Sequence, residues 1–160
     1  MSIRYGETKR RHRCLLFVYI CFCKTTDLHH THTMDSIAEA RRYLENAKVI
    51  LSEKAKKEDG RYQDKKYIKM AGHTAYTGVL VALNALFFNK KKKTRKSVEW
   101  YQKELSNLDR KITTSFSDVY EILHLSMSYD GIQSAKVVGL GLEEAEKIIN
   151  WSEQRLERVA

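Results

Sequence analysis

Two sets of side chains in this chain have residue types and spacing that could do chemistry. The first is His124, followed closely by Tyr129 and Asp130. An imidazole is the commonest general base at neutral pH, and a phenol or carboxylate beside it can exchange protons with it. The second is a basic run that suits contact with phosphate groups. Its members are Lys90, Lys91, Lys92, Lys93, Arg95 and Lys96.

A structural role explains each of these residues at least as well as a functional one. His124 lies at the edge of an apolar helix face, where a hydrogen bond to a neighbouring helix would account for it. Tyr129 and Asp130 most simply end a helix before Gly131. The basic run has no interleaved aromatic residues, so a solvated turn accounts for it. The sequence therefore commits to no catalytic residue, and the two sets remain candidates for catalysis and for nucleic-acid binding.

Motifs for cofactor chemistry are missing from the sequence. It contains no P-loop, dinucleotide-binding glycine pattern, zinc-protease motif or serine-nucleophile elbow. The pair Gly139 and Gly141 lies in a helical pattern with no strand before it. His73 and His124 are isolated from each other in sequence, and His73 is expected on the surface, opposite the small-residue stripe of its helix. We therefore expect no cofactor and no metal, and the sequence favours a binding or structural protein over an enzyme.

The composition changes at Met34. All of the cysteines precede it, as do four of the six histidines. Directly after it, Ser36 and Glu39 have the spacing of a capping box, in which each side chain satisfies the free backbone N–H of the other residue. We therefore expect residues 34–160 to form one helical domain and residues 1–33 to be a disordered leader or a mis-assigned start.

A targeting segment is the competing interpretation of the leader. A positive stretch precedes ten apolar residues from Cys14 to Cys23, as in a signal peptide. That run is too short for a membrane span of about 20 residues, and no small-residue cleavage site follows it. Cys21 and Cys23 with the nearby histidines have metal-ligand types, but their spacing matches no common zinc module. The cysteine-free domain fits a reducing cytoplasm, so we expect a cytoplasmic protein without a membrane contact.

Helices must position the candidate residues. A chain of this length would contain roughly eight prolines at average usage, yet it contains none, and proline breaks helix interiors. Apolar residues recur at spacings of three and four, the period of an α-helix. The third pattern is one long helix or a short one before a long one, and two pieces fit a compact bundle better. The predicted helices are Ser36–Lys57, Gln63–Phe88, Arg95–Leu105, Asp109–Tyr129 and Ser134–Arg158.

The predicted fold is therefore all-α, a compact antiparallel bundle of four long helices with one short extra helix. Gly60 is expected to end the first helix in a left-handed conformation. The second helix carries a stripe of small residues that lets a neighbouring helix approach closely. Gly78 lies on that stripe, whereas Gly72 lies off it and is not explained by it.

Two segments carry a family resemblance. The second helix, with the sequence YIKMAGHTAYTGVLVALNAL from Tyr67, resembles the alanine-rich helix of HEPN-superfamily bundles. The later segment YEILHLSMSYDG from Tyr120 is similar to the HEPN helix that closes on a Tyr-Asp pair. The whole of 34–160 also resembles an uncharacterised family of short bacterial proteins, classed only as a domain of unknown function.

The resemblance implies either of two functions. Many HEPN proteins are ribonucleases in which paired subunits bring two histidines of an Arg-x(4–6)-His motif to one phosphate. No arginine in this chain has a histidine at that spacing. Other members lack the motif and act as binding modules, or as partners of small nucleotidyltransferases in toxin–antitoxin pairs.

We therefore expect a non-catalytic, HEPN-like homodimer that binds a protein or nucleic-acid partner, such as a nucleotidyltransferase-like protein or RNA. The net charge of +9 allows nucleic-acid contact without demanding it. One alternative is a metal-independent ribonuclease that uses His124 and Tyr129 in place of the missing motif. The other is a structural or assembly protein whose long helices bury a partner surface.

Overall fold

The computed structural model describes residues 34–87 and 96–158, and these residues form the predicted all-α bundle. Its helices are α1 (34–53), α2 (Lys65–Leu86), α3 (Val98–Ser106), α4 (Arg110–Val119), a π-helix (Tyr120–Asp130) and α5 (Ala135–Glu157). Two short strands, β1 (Lys57–Glu58) and β2 (Arg61–Tyr62), form a hairpin between α1 and α2. In the described ranges, none of the helices is long and apolar enough to cross a membrane.

The predicted apolar stripes form the core. Every stripe residue of α1 is at least 96% buried, and the alanines of the α2 stripe are at least 92% buried. Removing this apolar surface from water is the dominant favourable term in folding. The α1 stripe consists of Ile37, Ala40, Leu44, Ala47 and Leu51, and the α2 stripe includes Ala71, Ala75, Gly78, Ala82 and Ala85.

Both predicted ends of α1 are wrong. Residue 34 is already helical, so Ser36 lies inside the helix. An N-cap residue has a non-helical backbone, so Ser36 is not at the N-cap position that the predicted capping box requires. The helix stops at residue 53, short of the predicted Lys57, because the chain turns there into the β1–β2 hairpin.

The hairpin explains the unusual backbone at Asp59 and Gly60. Both have positive φ, 47° and 73°, as a tight two-residue hairpin turn requires. The left-handed conformation predicted for Gly60 is therefore confirmed, but it turns a hairpin and does not end a helix. Arg61 also pairs with Ser134, which joins the hairpin to the start of α5.

The third apolar pattern divides as predicted, into α3 and a second, longer segment. The carboxylate of Asp109 caps that segment by accepting from the N–H of Lys111 at 2.8 Å. Only its first part is an α-helix, however. From Tyr120 to Asp130 the backbone is a π-helix, whose hydrogen bonds join residues i and i+5. The uniform spacing of apolar residues gave no indication of this change.

Close helix packing explains both interior glycines of α2. A β-carbon on Gly78 would lie 2.8 Å from the carbonyl oxygen of Ala40 in α1. A β-carbon on Gly72 would lie 2.5 Å from the β-carbon of Met127 and 2.8 Å from the carbonyl oxygen of Leu123, both in the π-helix. Gly72 therefore serves the contact between α2 and the π-helix, which the small-residue stripe could not show.

Candidate functional site

Four aromatic rings meet where α2 packs against the π-helix. The ring of His124 stacks on Tyr76 of α2, with centroids 4.6 Å apart, and on Tyr120, at 5.2 Å. The edge of Tyr129 meets His124 at 5.2 Å, with the rings nearly perpendicular. We call these four residues the His124 cluster. The structure thus brings together two of the predicted candidates, His124 and Tyr129.

The π-helix accounts for the contact between His124 and Tyr129. In an α-helix of 3.6 residues per turn, residues five apart point about 140° away from each other. The wider turn of a π-helix places residue i+5 above residue i. Residues 124 and 129 are therefore neighbours in this register, and sequence reasoning that assumed α-helical spacing could not find the pair.

The imidazole of His124 is half-buried. Its Nδ1 atom is buried and has no hydrogen-bond partner. Burial lowers the pKa of His124, and the nearby His73 of α2 lowers it further. The imidazole is therefore neutral at pH 7. The expected hydrogen bond from a neighbouring helix is not made at Nδ1. The contact that α2 makes with this ring is the stacked ring of Tyr76.

The phenol of Tyr76 is a poor acid in this setting. Burial raises its pKa to about 12, and the phenols of Tyr120 and Tyr101 add to the effect. Burial also raises the pKa of Tyr101, opposed by the hydrogen bond that its hydroxyl donates to Oδ1 of Asn84 at 2.7 Å. Tyr76 therefore supplies a neutral stacking surface and no charge.

The π-helix ends beside the lysines of α2. Gly131 adopts φ 68° and its N–H donates to the carbonyl oxygen of Met127 at 3.1 Å, as in a left-handed helix stop. The predicted end after Tyr129 and Asp130 is thus confirmed. A β-carbon on Gly131 would lie within 3.1 Å of Lys69 and 3.3 Å of Lys65. The aromatic end of the π-helix and the basic start of α2 are therefore adjacent.

Tyr129 and Asp130 are both exposed, and Tyr129 keeps 63% of its surface in water. An exposed aromatic ring fixed at its edge against another ring loses little conformational freedom on binding. This makes Tyr129 the most accessible member of the His124 cluster. His73 is exposed on α2, as predicted.

The predicted basic run is only partly visible. Lys90, Lys91, Lys92, Lys93 and Arg95 lie outside the described residues. Lys96 is described, and its ammonium is turned toward the bundle. It donates to Oδ1 of Asn84 at 3.0 Å and lies 4.6 Å from the ring centre of Trp100. Burial lowers the pKa of Lys96. This lysine therefore anchors the chain near the end of α2.

The model of a family described as Domain of unknown function (DUF5618) matches residues 35–154. The chain belongs to this family. It is also similar to a solved protein of unknown function from Dyadobacter fermentans. The two are 56% identical over 77% of this chain and 98% of the other, with a TM-score of 0.73. None of the curated proteins matches the chain. The predicted membership of a family of unknown function is thereby confirmed.

Hollows also lie on the described surface of this DUF5618 protein. One, of about 450 Å³, lies between α1 and α5, where Arg41 pairs with Glu153 and Lys48 with Glu146. Another, of about 510 Å³, lies at the start of α2 and is lined by Lys56, Gln63, Asp64, Lys65, Lys66 and Gln133. Over the described part of the chain, no group of three or more His, Cys, Asp or Glu side chains is arranged to hold a metal ion.

Proposed function

We propose that this DUF5618 protein is a non-catalytic, HEPN-like interaction module that binds single-stranded RNA through the His124 cluster and the basic start of α2. The observation that carries the proposal is the position of Tyr129. This residue is 63% exposed and packs against His124. It stands at the end of the π-helix, where Gly131 lies next to Lys65 and Lys69.

The chemistry of this surface suits a single strand. Unpaired bases stack on exposed aromatic rings, and cations beside the rings contact the phosphates without reading sequence. The helix α2 carries Lys65, Lys66 and Lys69 in its first turns and has no acidic residue along its length. A phosphate chain approaching Tyr129 therefore meets positive charge on this helix.

The geometry around His124 supports binding more than cleavage. A general base needs an accessible nitrogen and a polar group that orients it. Nδ1 of His124 is buried without a partner, and the ring neighbours are three tyrosines. The phenol of Tyr76, with a pKa of about 12, does not supply a proton readily at neutral pH. These groups are better suited to stacking against a ligand than to transferring a proton.

The HEPN-like part of the proposal rests on α2 packed against a helix that ends in Tyr129-Asp130-Gly131. A homodimer that buries part of this surface, and a nucleotidyltransferase-like protein partner, follow from the same resemblance. A cytoplasmic location follows from the cysteine-free sequence of 34–160. Light scattering of the purified protein tests the homodimer, co-purification tests the protein partner, and cell fractionation tests the location.

RNA binding is tested by fluorescence anisotropy with a labelled single-stranded RNA of mixed sequence and the full chain. Tyr129→Ala should weaken binding by about tenfold, since stacking of one base contributes about 1–3 kcal/mol. Lys69→Gln should weaken binding of every sequence and reduce the slope against log salt by about one. The matched controls are Leu140→Ala, an exposed apolar residue of α5, and Lys147→Gln, which pairs with Glu144.

RNA that binds equally well to both test variants would move the contact elsewhere, with the run from Lys90 to Lys96 as the next target. Binding of a protein but no RNA would replace the proposed partner class.

A ribonuclease is the second candidate function, and the contact between His124 and a tyrosine is the observation in its favour. A neutral imidazole next to a phenol can accept a proton from an RNA hydroxyl. The test is incubation of the full chain with the same RNA, followed by a denaturing gel. Cleavage that is lost in a folded His124→Ala variant would establish this activity in place of the proposed one.

A further inference from the structure

The segment Tyr120–Asp130 is a π-helix for its whole length, although π geometry is rare and usually confined to a single turn. We propose that this segment is a two-register helix that controls access to the His124 cluster. In the π register, Tyr129 packs against His124 and covers one side of its half-buried ring. In an α register, that contact is lost and His124 is more exposed. The inference rests on the proposed function, because it describes the regulation of the same surface.

Gly72 of α2 is the residue that admits the π register. The wide turn at Leu123 and Met127 occupies the space that a β-carbon on residue 72 would need, at 2.5 Å from Met127 and 2.8 Å from the oxygen of Leu123. Real β-carbons do not approach other atoms this closely. Any side chain at position 72 therefore pushes against the π-helix at its centre.

Ser128 supports the same register from inside the helix. Its hydroxyl donates to the carbonyl oxygen of Leu123 at 2.7 Å, a bond that spans five residues. This side-chain bond matches the i to i+5 pattern of the π backbone. Hydroxyl bonds in an α-helix instead reach back three or four residues, as Ser106 does to Lys103 and Ser152 to Ile148, both at 2.8 Å. Ser128 is thus adapted to the π register.

The two registers differ at His124. The α register would turn residue 129 about 140° away from residue 124, which separates the rings. The π register leaves Nδ1 of His124 buried without a partner, and such an atom raises the free energy of the state that contains it. A ligand that pairs with the uncovered imidazole would increase the population of the α register. A ligand that stacks on Tyr129 while it packs against His124 would increase the population of the π register.

The test measures carbethoxylation of His124 by diethyl pyrocarbonate in the full chain, with peptide mass spectrometry to separate the histidines. His73 is exposed on α2 and serves as the reference in every sample. Gly72→Ala should raise the rate at His124 relative to His73 by about tenfold, the change that about 1.4 kcal/mol of register preference produces. No ligand is needed, so the outcome does not depend on RNA binding.

Three further variants make the result specific. Gly139→Ala adds the same methyl group to α5, where it meets nothing within 4 Å, and should leave the rate unchanged. Ser128→Ala removes the bond to Leu123 without adding volume, and it should raise the rate even if Gly72→Ala fails to fold. In a Tyr129→Ala background His124 is already uncovered, so Gly72→Ala should add no further increase if the register acts through Tyr129.

An unchanged rate in folded Gly72→Ala and Ser128→Ala would overturn the proposal. An equal rise in Gly139→Ala would do the same, because it would show general loosening of the bundle. If the parent protein binds no RNA but the carbethoxylation rates at His124 change as predicted, the proposed function is wrong and the two-register helix is supported.

Discussion

Gly72 and Met127 approach each other so closely that a β-carbon on the glycine would lie 2.5 Å from the β-carbon of the methionine. This close approach brings α2 against the π-helix that carries His124. Glycine weakens a helix interior relative to alanine, so the close approach of two helices is what favours it here.

Replacing Gly72 with alanine should destabilise the protein. The added methyl group cannot be accommodated without a shift of the π-helix, and such overpacking costs about 1–3 kcal/mol. The free energy of unfolding, measured by urea titration of the helical circular dichroism signal, should fall by that amount.

Gly139→Ala is the matched control for that measurement. Its β-carbon would meet nothing within 4 Å, and the backbone of α5 is helical there. Alanine should therefore stabilise the protein by about 0.5–1 kcal/mol. If the two alanine variants had the same stability, the close approach at position 72 would not be the reason for its glycine.

Acidification should destabilise the fold through His124. Its pKa is lowered in the folded state by burial and by His73, whereas an unfolded histidine has a pKa of about 6.5. The unfolded chain therefore binds more protons as the pH drops through that value, and stability falls with it. Above the unfolded pKa this contribution to stability is complete. Thermal melting between neutral pH and mildly acidic pH measures the effect.

The histidine responsible can be identified by substitution. In His124→Gln the decrease in melting temperature on acidification should be smaller than in the parent protein. His73→Gln should keep a decrease, reduced by the loss of the charge that faces His124. A parent-like pH dependence in His124→Gln would assign the acid sensitivity to other groups.

Alkaline pH should destabilise the fold through Tyr76. Its folded pKa is raised to about 12, above the value of about 10 for an unfolded tyrosine. The folded state thus resists loss of the proton. The associated stability is fully present below the unfolded pKa and is lost as the pH rises toward 12. Residue 76 cannot ionise in Tyr76→Phe, so the melting temperature of this variant should decline less across this range. Its phenolate absorbance should lose a step that titrates near pH 12.

The helical bundle was predictable because short-range spacing in the sequence shows which residues of each helix are buried. The buried stripe from Ile37 to Leu51 and the small residues of α2 each repeat with the helical period, and the structure buries them as that period requires. The break before α4 was also predictable, from the length that a compact bundle allows. The hairpin around Gly60 was missed because its strands have only two residues each, too few for an alternating pattern.

The His124 cluster was predictable only in part. The sequence placed His124 at the edge of an apolar helix face and Tyr129 at a helix end. In the structure His124 is half-buried and Tyr129 is the second-last residue of the π-helix. Their contact depends on a π register that apolar spacing does not reveal, and on Tyr76, which comes from another helix. The isolated Gly72 was the one signal in the sequence of an unusual approach. A glycine with no turn or stripe to explain it indicates close contact with a neighbouring backbone.

Lys96 and Lys69 should differ in their effect on RNA binding. The ammonium of Lys96 is held by Asn84 and lies over the ring of Trp100, whereas Lys69 is exposed beside the end of the π-helix. A cation that already contacts a ring and an amide oxygen must break those contacts to reach a phosphate. Lys69→Gln should therefore weaken binding more than Lys96→Gln, as measured by the same anisotropy titration.

The free energy of unfolding should fall more in Lys96→Gln than in Lys69→Gln. Loss of the contact between Lys96 and Trp100 removes a cation–π interaction of about 0.5–1 kcal/mol, so Lys96→Gln should lower the free energy of unfolding. Lys69→Gln removes an exposed charge and should change it little. A variant of Lys96 that kept full stability but lost RNA binding would show that its ammonium leaves Trp100 in solution. The nucleic-acid surface would then extend from the basic start of α2 to its far end.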